Sequence, residues 1–557
     1  MLEAHHRQCS DSYLVGLRAA LGVTLMGLWL VAGAAAAQLQ SPEATADPRD
    51  TETPSSADTT VDPSFDIWEF RVSGNTLLET TRIERTVYPH LGPERGIEDV
   101  EAARRDLEAL FRSAGYPTVV VNIPEQDASD GVIDLEIVQG TIDRLRISNS
   151  RYFSLGRIRE KVPALAEGNV PHFPQVQAEL ADLNRASADR QVTPILRKGR
   201  KPGGVEVDLQ VRDRFPLHAS LELNDRNSQD TSRLRASATL RYANLWQREH
   251  SVSMTAQVSP QNSDDVKVLA GTYVMPLENR DLLALFAVRS ESDVATSGDL
   301  SVIGSGTILG ARYIMPLPAA GNYFHSLTLG ADYKDFDEAV KLIGADRLTT
   351  PIDYSKFMAE YQGTRVGDER ETSFKLAAHF GVRGAGNREF EFENKRFEAR
   401  PNFFYVQGGF GHTETLAAGA QLYLAANAQL AGGPLVSNEQ FSVGGVDSVR
   451  GYYESQTLGD DGVHGQLELR SPSLASSFWE NVQSLRLFAF LDGGMVRVQD
   501  RLPGQPHDQS IYGAGLGLRM QGTPGLSAQF NWAWPLKANG QVERLDGRGH
   551  FQLQYEM

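Results

Sequence analysis

Cysteine is almost absent from this 557-residue chain, since its one thiol belongs to Cys9 near the N-terminus. Once that region is removed, the chain cannot form disulfides, use a thiol nucleophile or build a cysteine-based zinc site. Past residue 37 it also lacks any apolar run long enough for a membrane-spanning helix, which excludes a helical membrane protein. Basic residues are outnumbered, with 54 Lys and Arg against 71 Asp and Glu and a formal charge of −17. That balance argues against nucleic-acid binding, which depends on concentrated positive charge.

The common catalytic signatures are missing as well. The sequence contains no phosphate-binding loop, no His-Glu-x-x-His zinc motif and no Gly-x-Ser-x-Gly nucleophile motif. Its 12 histidines are scattered, and we interpret single ones such as His464 as polar lining rather than as ligands. We therefore predict a protein that is not an enzyme and that holds no metal and no cofactor.

The N-terminus carries the first positive signal. Arg7 and Arg18 precede an apolar stretch over residues 19–37, which ends in a run of alanines followed by glutamine. A basic region, an apolar region and small residues in that order predict a secretory signal peptide over residues 1–37, with an uncleaved anchor helix as the alternative. Residues 38–64 contain six acidic residues and one arginine among Pro, Ser and Thr, without apolar periodicity. We predict a disordered acidic linker there.

Residues 65–215 contain an internal repeat of strand and helix patterns. Residues 70–87 align without gaps on residues 145–162, with five of eighteen positions identical. Each copy begins with a strand, continues with two helical stretches and closes with two strands. Apolar residues recur at helical spacing in the second helical stretch of each copy, namely Ala103, Leu107, Leu110 and Phe111, then Val176, Leu180 and Leu183. We predict two tandem β-α-α-β-β domains over residues 65–140 and 141–215, with chance similarity of two α/β segments as the alternative.

After residue 215 the pattern changes to short segments in which apolar and polar residues alternate. Leu526, Ala528, Phe530, Trp532 and Trp534 show this alternation near the C-terminus. Most of these segments have close to the ten residues that a tilted strand needs to cross a bilayer. We predict sixteen strands, at residues 217–224, 233–243, 250–258, 265–276, 281–290, 303–316, 324–334, 353–363, 373–381, 401–411, 417–429, 463–471, 484–493, 511–520, 525–535 and 549–557.

The connections between these strands tend to alternate between long and short. The long, polar ones are residues 335–352, 382–400, 430–462, 494–510 and 536–548, and the short ones include residues 277–280 and 522–525. Outer-membrane barrels have this asymmetry, with long external loops and short periplasmic turns. An even strand number brings both barrel ends to the side of the two α/β domains. We therefore predict a 16-stranded antiparallel transmembrane β-barrel over residues 216–557, with a large soluble all-β domain as the alternative.

The longest connection, residues 430–462, is rich in glycine and aromatic residues, and long connections in compact folds are usually functional or disordered. In the nearby strand 484–493, the two-residue period places Asp492 on the face opposite Leu487 and Leu491. We assign the leucine face to lipid and Asp492 to the barrel interior, and the same reasoning places Glu468 inside. A cation on a loop that folds inward can pair with these acids, which would fix the position of the loop.

Two short motifs lie in these segments: Val449, Arg450, Gly451 and Tyr452 in the long connection, and Phe490, Leu491, Asp492, Gly493 and Gly494 in the strand. With the repeats and the strand number, they make the chain resemble the two-partner secretion transporters of the hemolysin secretion/activation type (TpsB-like). That family belongs to the superfamily of POTRA-plus-β-barrel assembly and translocation proteins, and the resemblance covers nearly the whole mature chain. The segments 183–185, 191–196 and 198–199 also resemble the second POTRA domain of that branch.

The resemblance implies two POTRA domains, residues 65–140 and 141–215, before a barrel whose inward loop pairs Arg450 with Asp492. It implies an outer-membrane translocator whose periplasmic POTRA domains capture the N-terminal secretion domain of a large unfolded exoprotein, of adhesin or cytolysin type. The partner would pass through the barrel without ATP and fold outside. The other implied partners are outer-membrane lipid and the barrel-assembly machinery, and nucleic acid is not among them.

Two features depart from the family pattern. Residues 38–64 lack the periodicity of the helix that plugs the barrel in some members, and the chain ends in Met557 rather than phenylalanine. An insertase that assembles outer-membrane barrels is the alternative function, although two POTRA-like repeats rather than a longer array favour export. A passive porin has no need of periplasmic α/β domains. The 27 residues between the signal and the first repeat leave no room for an exported lipase-type domain.

Overall fold

The computed structural model describes residues 64–557 except 201–202, 230, 278, 293, 298–299, 338, 342–346, 476–481 and 523–524. For residues 294–297, 300–303, 339–341 and 347–349 it describes the backbone alone. The described residues form two units that divide between Phe215 and Pro216. Apart from Ser64, the predicted signal peptide over residues 1–37 and the predicted linker over residues 38–64 lie outside the described residues.

In the first unit, each repeat folds as a three-stranded sheet with helices. The first repeat contains β1 (Phe65–Ile67), β2 (Glu69–Ser73), α1 (Thr80–Val87), β3 (Gly92–Arg95), α2 (Ile97–Ser113), β4 (Val120–Asn122) and β5 (Val132–Val138). The second repeat contains β6 (Ile142–Ser148), α3 (Leu155–Glu160), α4 (Phe173–Arg185), β7 (Arg190–Lys198) and β8 (Val205–Asp213). The sheet orders are β2-β5-β4 and β6-β8-β7, and in each sheet the first strand lies parallel to the central one. Both sheets therefore have the order of elements that the sequence predicts.

Helix α2 shows how the sequence pattern produces this fold. Asp99 accepts a hydrogen bond from the Gly96 backbone N–H at 3.0 Å, which caps the helix N-terminus. Ala103, Leu107 and Phe111 are fully buried on its inner face. The β1–β3 ribbon was not predicted, because its strands are too short to show a period. In the described part of the chain, no helix combines the length and apolar character needed to cross a membrane.

The described residues of the second unit form a closed antiparallel barrel of sixteen strands, in which the last strand pairs back onto the first. This confirms the predicted strand number and direction. The barrel strands are β9 (Leu217–Asn224), β10 (Arg235–Leu245), β11 (His250–Val258), β12 (Lys267–Pro276), β13 (Leu282–Glu291), β16 (Gly306–Pro316), β17 (Tyr323–Phe336), β20 (Ile352–Val366), β21 (Arg370–Gly381), β22 (Phe404–Thr415), β23 (Gln421–Ala431), β26 (Asp461–Arg470), β27 (Val482–Arg497), β28 (Asp508–Gly522), β29 (Leu526–Pro535) and β30 (Arg548–Glu556). Short hairpins in the connections pair β14 (Val294–Ser297) with β15 (Leu300–Ile303), β18 (Ala339–Lys341) with β19 (Arg347–Thr349), and β24 (Phe441–Val443) with β25 (Thr457–Gly459).

Side chains alternate between the inside and the outside of the barrel wall. In β27, Phe488, Phe490 and Asp492 are buried, whereas Leu487 and Leu491 are more than half exposed. Other strands expose large apolar side chains in the same way, including Leu240, Leu269, Leu285, Leu309, Leu376 and Leu516. The second unit therefore has the apolar exterior that lipid contact requires.

The two ends of the barrel carry connections of different length. At the end where β9 begins, residues 246–249 and 367–369 join neighbouring strands, whereas residues 382–403, 432–460 and 536–547 lie at the other end. The predicted connection 494–510 is too long, because β27 continues past the paired glycines at 493–494, where the side-chain alternation is hard to see. The connection after β21 contains helix α5 (Glu389–Lys395), whose alternating Glu and Phe are typical of a strand.

Candidate functional site: the inward loop and the barrel wall

The connection between β23 and β26, residues 432–460, folds back into the barrel. Its hairpin β24–β25 leads to residues 444–456, which we call the loop tip. Gly444, Gly445 and Gly451 have φ values of 120°, 102° and 96°, which glycine adopts without strain. Val449 and Tyr452 at the tip are fully buried. The tip therefore lies inside the barrel and against its wall.

The guanidinium of Arg450 is the centre of the contact between the tip and the wall. Its Nε donates to Asp492 Oδ2 and its Nη2 donates to Asp492 Oδ1, each at 2.7 Å. Its Nη1 donates to Glu468 Oε1 at 2.6 Å, and the Arg450 backbone N–H donates to Asp492 Oδ2 at 3.1 Å. Arg450 and Asp492 are each only 1% exposed. The contact with Asp492 is bidentate. It uses the planar guanidinium group of arginine, which lysine does not have.

An aromatic ring and further arginines surround this contact. The Cζ atom of Arg450 lies 3.6 Å from the ring centroid of Phe490, within cation–π range. Glu468 bridges to a second arginine, because its Oε2 accepts from Arg470 Nε at 2.8 Å. Arg519 Nη2 lies 3.9 Å from the same oxygen. The three arginines and the two carboxylates, Asp492 and Glu468, form one charged cluster. Its arginines outnumber its carboxylates, so all three share Glu468 as a partner.

The carboxylates keep Arg450 charged despite its burial. Burial alone would lower the pKa of Arg450, but the hydrogen bonds and charges of Asp492 and Glu468 raise that pKa above its ordinary value. Desolvation offsets much of the attraction in a buried ion pair, so the pair specifies position more than it adds net stability. Removing one partner has a larger effect, because a buried charge without compensation costs about 3–5 kcal/mol.

The residues beside Arg450 attach the tip to neighbouring strands. The Gly451 backbone N–H donates to His550 Nε2 at 3.1 Å. The Tyr452 hydroxyl donates to the Lys537 carbonyl oxygen at 2.6 Å. Val449 and Tyr452 also belong to an apolar cluster whose other buried members are Phe441, Val443, Val496, Ile511 and Val542. The tip is therefore fixed by apolar packing as well as by charge.

Glycines in the wall make room for the tip. A Cβ atom at Gly513 would overlap the carbonyl oxygen of Arg450, and one at Gly494 would press on Val443. Gly493 lies on the other face of β27, where a Cβ would meet the ring of Tyr512. The structure thus brings the loop-tip motif together with the interior residues of the wall motif, and it places Gly493 outside this contact.

The tip also contacts the connection between β9 and β10. Arg226 Nη2 donates to Asp447 Oδ1 at 3.1 Å, and the Glu454 backbone N–H donates to the Asn227 carbonyl oxygen at 3.1 Å. Glu454 Oε1 accepts from the Val446 backbone N–H at 3.1 Å. Burial raises the pKa of Glu454 to about 7, although the charge of Arg226 opposes that shift. Glu454 is therefore a group in the tip that titrates near neutral pH.

A second anchor, which sequence reasoning missed, is Glu439 near the start of the loop. Its Oε1 accepts from Lys334 Nζ at 2.5 Å and from the Tyr354 hydroxyl at 2.6 Å. Its Oε2 accepts from Lys356 Nζ at 3.0 Å and from the Tyr405 hydroxyl at 2.6 Å. The sequence did contain a signal for this anchor. The two-residue period of β17 and β20 places Lys334 and Lys356 on the inner face of the wall, and two lysines in the interior require an acidic partner.

The two anchors lie on different arcs of the wall. Glu439 binds β17, β20 and β22, whereas Arg450 binds β26 and β27, which lie further around the closed strand order. Between these two residues, Phe441 and Val443 pack with Val496 of β27, so the loop runs along the inner side of the wall. Among the described residues, no group of three or more His, Cys, Asp or Glu side chains is arranged to hold a metal ion.

Two family models match the chain. Residues 203–520, more than half of the sequence, match the model described as haemolysin secretion/activation protein ShlB/FhaC/HecB. Residues 65–140 match the model described as POTRA domain, ShlB-type. The two matches together include the first repeat of the N-terminal unit and most of the barrel.

Curated proteins and solved structures show the same likeness. The chain is 23% identical over 507 residues to the outer membrane transporter CdiB of Dickeya dadantii, covering 85% of this chain and 83% of that protein. It is 19% identical over 486 residues to the heme/hemopexin transporter protein HuxB of Haemophilus influenzae, covering 84% and 82%. The structure of CdiB from Escherichia coli matches with a TM-score of 0.60 at 20% identity, covering 91% and 93%. BamA from Haemophilus ducreyi lacking POTRA domains 1–3 matches with a TM-score of 0.55 at 14% identity, covering 88% and 100%, so these structures share the fold.

Proposed function

We propose that this chain, which belongs to the haemolysin secretion/activation family of two-partner secretion transporters, moves its partner by capture, passage and external folding. The chain is an outer-membrane β-barrel translocator with POTRA domains in the periplasm, and its partner is a secreted exoprotein. In the proposed first step, the POTRA domains capture the N-terminal secretion domain of that exoprotein while it is unfolded. The partner is a large protein of adhesin or cytolysin type.

Passage through the barrel requires neither ATP nor a catalytic residue in this proposal. An unfolded chain that emerges outside and folds there cannot easily return, so folding gives the movement its direction. The chain therefore acts as a conduit rather than as an enzyme. The exposed leucines of the barrel strands support contact with outer-membrane lipid, and the barrel-assembly machinery inserts the barrel into that membrane.

The observation that carries the proposal is a loop that folds into the barrel and is anchored to its inner wall by Arg450. We assign Arg450, with Asp492 and Glu468, the role of holding the loop tip in the position that secretion requires. A partner that passes through the interior meets this loop, and a fixed tip lets the rest of the loop move aside without leaving the barrel.

Co-expression with the partner exoprotein tests the proposal. We expect the exoprotein in the medium when the full chain is present, and in the periplasm or degraded when residues 65–140 are deleted. Heat-modifiable gel mobility checks that the barrel of the deletion variant is folded. Secretion at the wild-type level by that variant would remove the capture step from the proposal.

An insertase that assembles other barrels is the second candidate, because the barrel shares its fold with BamA. The two functions differ in what is lost when the gene is deleted. Export predicts that one exoprotein disappears from the medium while the other outer-membrane barrels keep their abundance. A general fall in those barrels would favour the insertase.

A further inference from the structure

The two three-stranded sheets described in the N-terminal unit have four edge strands: β2 and β4 in the first repeat, and β6 and β7 in the second. Backbone N–H and C=O groups that point away from an edge are free to pair with an added strand unless something covers them. Along an edge strand these outward groups belong to alternate residues. The four edges can therefore be compared residue by residue.

The edge of β7 is closed over its first half. The Val192 N–H donates to Asn184 Oδ1 at 2.7 Å, and Asn184 Nδ2 donates to the Val192 carbonyl oxygen at 2.9 Å. Pro194, two residues further along and on the same side, has no N–H to offer. An added strand would have to displace the Asn184 amide and would then meet a residue without a donor.

The edge of β6 is closed at Ile142 and Leu145 by different groups. The Leu145 N–H donates to Glu167 Oε1 at 3.1 Å, and Arg159 Nη2 donates to the Leu145 carbonyl oxygen at 3.2 Å. The backbone of Ile142 pairs with residues 168–169 at 2.8 and 2.9 Å. In the first repeat, β4 has only three residues, and the Val121 N–H donates to Glu108 Oε1 at 3.1 Å.

The edge of β2 is different. The Glu69 N–H points to the Gly131 carbonyl oxygen next to β5, so the outward groups of β2 belong to Phe70 and Val72. Among the described residues, no side chain or loop makes a hydrogen bond to these outward groups. The β1–β3 ribbon ends at Ile67, before this part of the edge begins.

The repeat alignment explains why β2 has no covering groups. At the offset of 75 residues, Phe70 aligns with Leu145, Gly92 with Glu167, and Glu84 with Arg159. Gly92 has no side chain that could accept from the Phe70 N–H. Glu84 is a carboxylate and has no donor for the Phe70 carbonyl oxygen. The two residues that cover the edge in the second repeat are thus replaced by residues that leave it open in the first.

We infer that the exported partner adds a strand to the edge of β2, at Phe70 and Val72. This inference rests on the proposed function, since it names the strand of the POTRA domains to which the exoprotein binds. Backbone pairing suits an unfolded partner, because it requires an extended chain rather than a folded surface. Phe70 and Val72 are half-buried against the core of the first repeat, whereas Glu69 and Arg71 are exposed on the opposite face. The segment of the partner that pairs with β2 is therefore expected to alternate apolar and polar residues.

Two substitutions in the full-length protein test the edge directly. Val72→Pro removes an outward N–H without breaking a hydrogen bond to β5. Glu84→Arg introduces a guanidinium donor at the position where Arg159 covers the edge of β6 in the second repeat. The matched controls are Leu196→Pro, at an outward position of β7, and Glu84→Ala, which removes the charge without adding a donor. The probe is the purified N-terminal secretion segment of the partner exoprotein, unfolded in urea and diluted onto the transporter in detergent.

We expect Val72→Pro and Glu84→Arg each to weaken capture of this segment by about tenfold, and the controls to bind like the wild type. An unchanged protease pattern of the periplasmic domains shows that the variants are folded. If the wild type binds the segment and both variants bind it equally well, the inference about β2 is wrong and the proposed function stands. If the wild type does not bind the segment, the capture step fails, and the inference fails with it.

Discussion

Arg450 and Asp492 lie 42 residues apart in the sequence and are joined by three hydrogen bonds inside the barrel. One residue is on a long loop and the other is on a wall strand, so their contact fixes where the loop lies. Because both side chains are buried, each depends on the other for its compensating charge. The pair therefore fixes the position of the loop. Its energetic coupling can be compared with that of an exposed ion pair.

Asp492→Ala and Arg450→Ala should behave as changes to one unit. We expect a coupling energy of about 1–3 kcal/mol between them, with the double variant little worse than Arg450→Ala alone. Unfolding in detergent, followed by heat-modifiable gel mobility, measures this in a double-mutant cycle. The control cycle uses Arg497 and Asp508, which lie 3.0 Å apart with both side chains about half exposed. Surface pairs of this kind contribute about 0–1 kcal/mol, so equal coupling in the two cycles would contradict the positional role.

Gly513→Ala should displace the loop tip without removing any charge. A Cβ atom at this position overlaps the carbonyl oxygen of Arg450, and backbone gives way less readily than a flexible side chain. We expect secretion to fall about as far as it does in Arg450→Ala. Gly408→Ala on β22 is the matched control, since nothing lies within 4 Å of its Cβ position. Normal secretion by Gly513→Ala would mean that the tip tolerates a shift of its backbone.

Glu439→Ala should destabilise the barrel, because it leaves Lys334 and Lys356 near each other without their shared acid. Burial would raise the pKa of Glu439, but the two lysines lower it below its ordinary value, so the carboxylate is charged when folded. We expect a loss of about 3–5 kcal/mol of unfolding free energy. Glu543→Ala, at an exposed loop position, should change it by less than about 0.5 kcal/mol. The same unfolding assay checks both variants, and a neutral Glu439→Ala would rule out a second anchor.

Glu454 predicts a dependence of stability on pH. Its folded-state pKa is about 7 because of burial, whereas an unfolded glutamate titrates at about 4.3. Between these values the folded protein holds a proton that the unfolded chain has lost, so its stability falls as the pH rises through this window. We expect the unfolding temperature to drop from pH 5 to pH 8, and Glu454→Gln to flatten that slope. An identical slope in the wild type and in this variant would assign the dependence to other groups.

The barrel could be predicted well because a wall between lipid and water imposes one rule on every strand. In β26 and β27 that rule places Glu468 and Asp492 inside from the two-residue period alone. The contact of Arg450 with these acids is a different matter, because a loop residue has no period that fixes its direction. The family resemblance predicts that Arg450 points into the barrel. The structure adds its distances to Asp492 and Glu468.

The second anchor shows what the sequence could not give. Glu439 is one acid in a polar loop, and its partners Lys334 and Lys356 are 105 and 83 residues away. Helix α5 was missed for a related reason, since its alternating residues match the period of a strand although Phe392 packs into the core. Both features depend on contacts between connections and wall. The two-residue period places wall residues such as Lys334 inside, but it does not show which loop residue meets them.

The most direct test of the role of Arg450 is the amount of exoprotein that Arg450→Ala secretes. We predict that this variant forms a heat-modifiable barrel in the outer membrane at normal abundance and secretes little or none of the partner. Arg501→Ala, at an exposed loop position of the same barrel, serves as the control and should secrete normally. Secretion by Arg450→Ala at the level of this control would contradict the claim that the buried arginine holds the loop for transport.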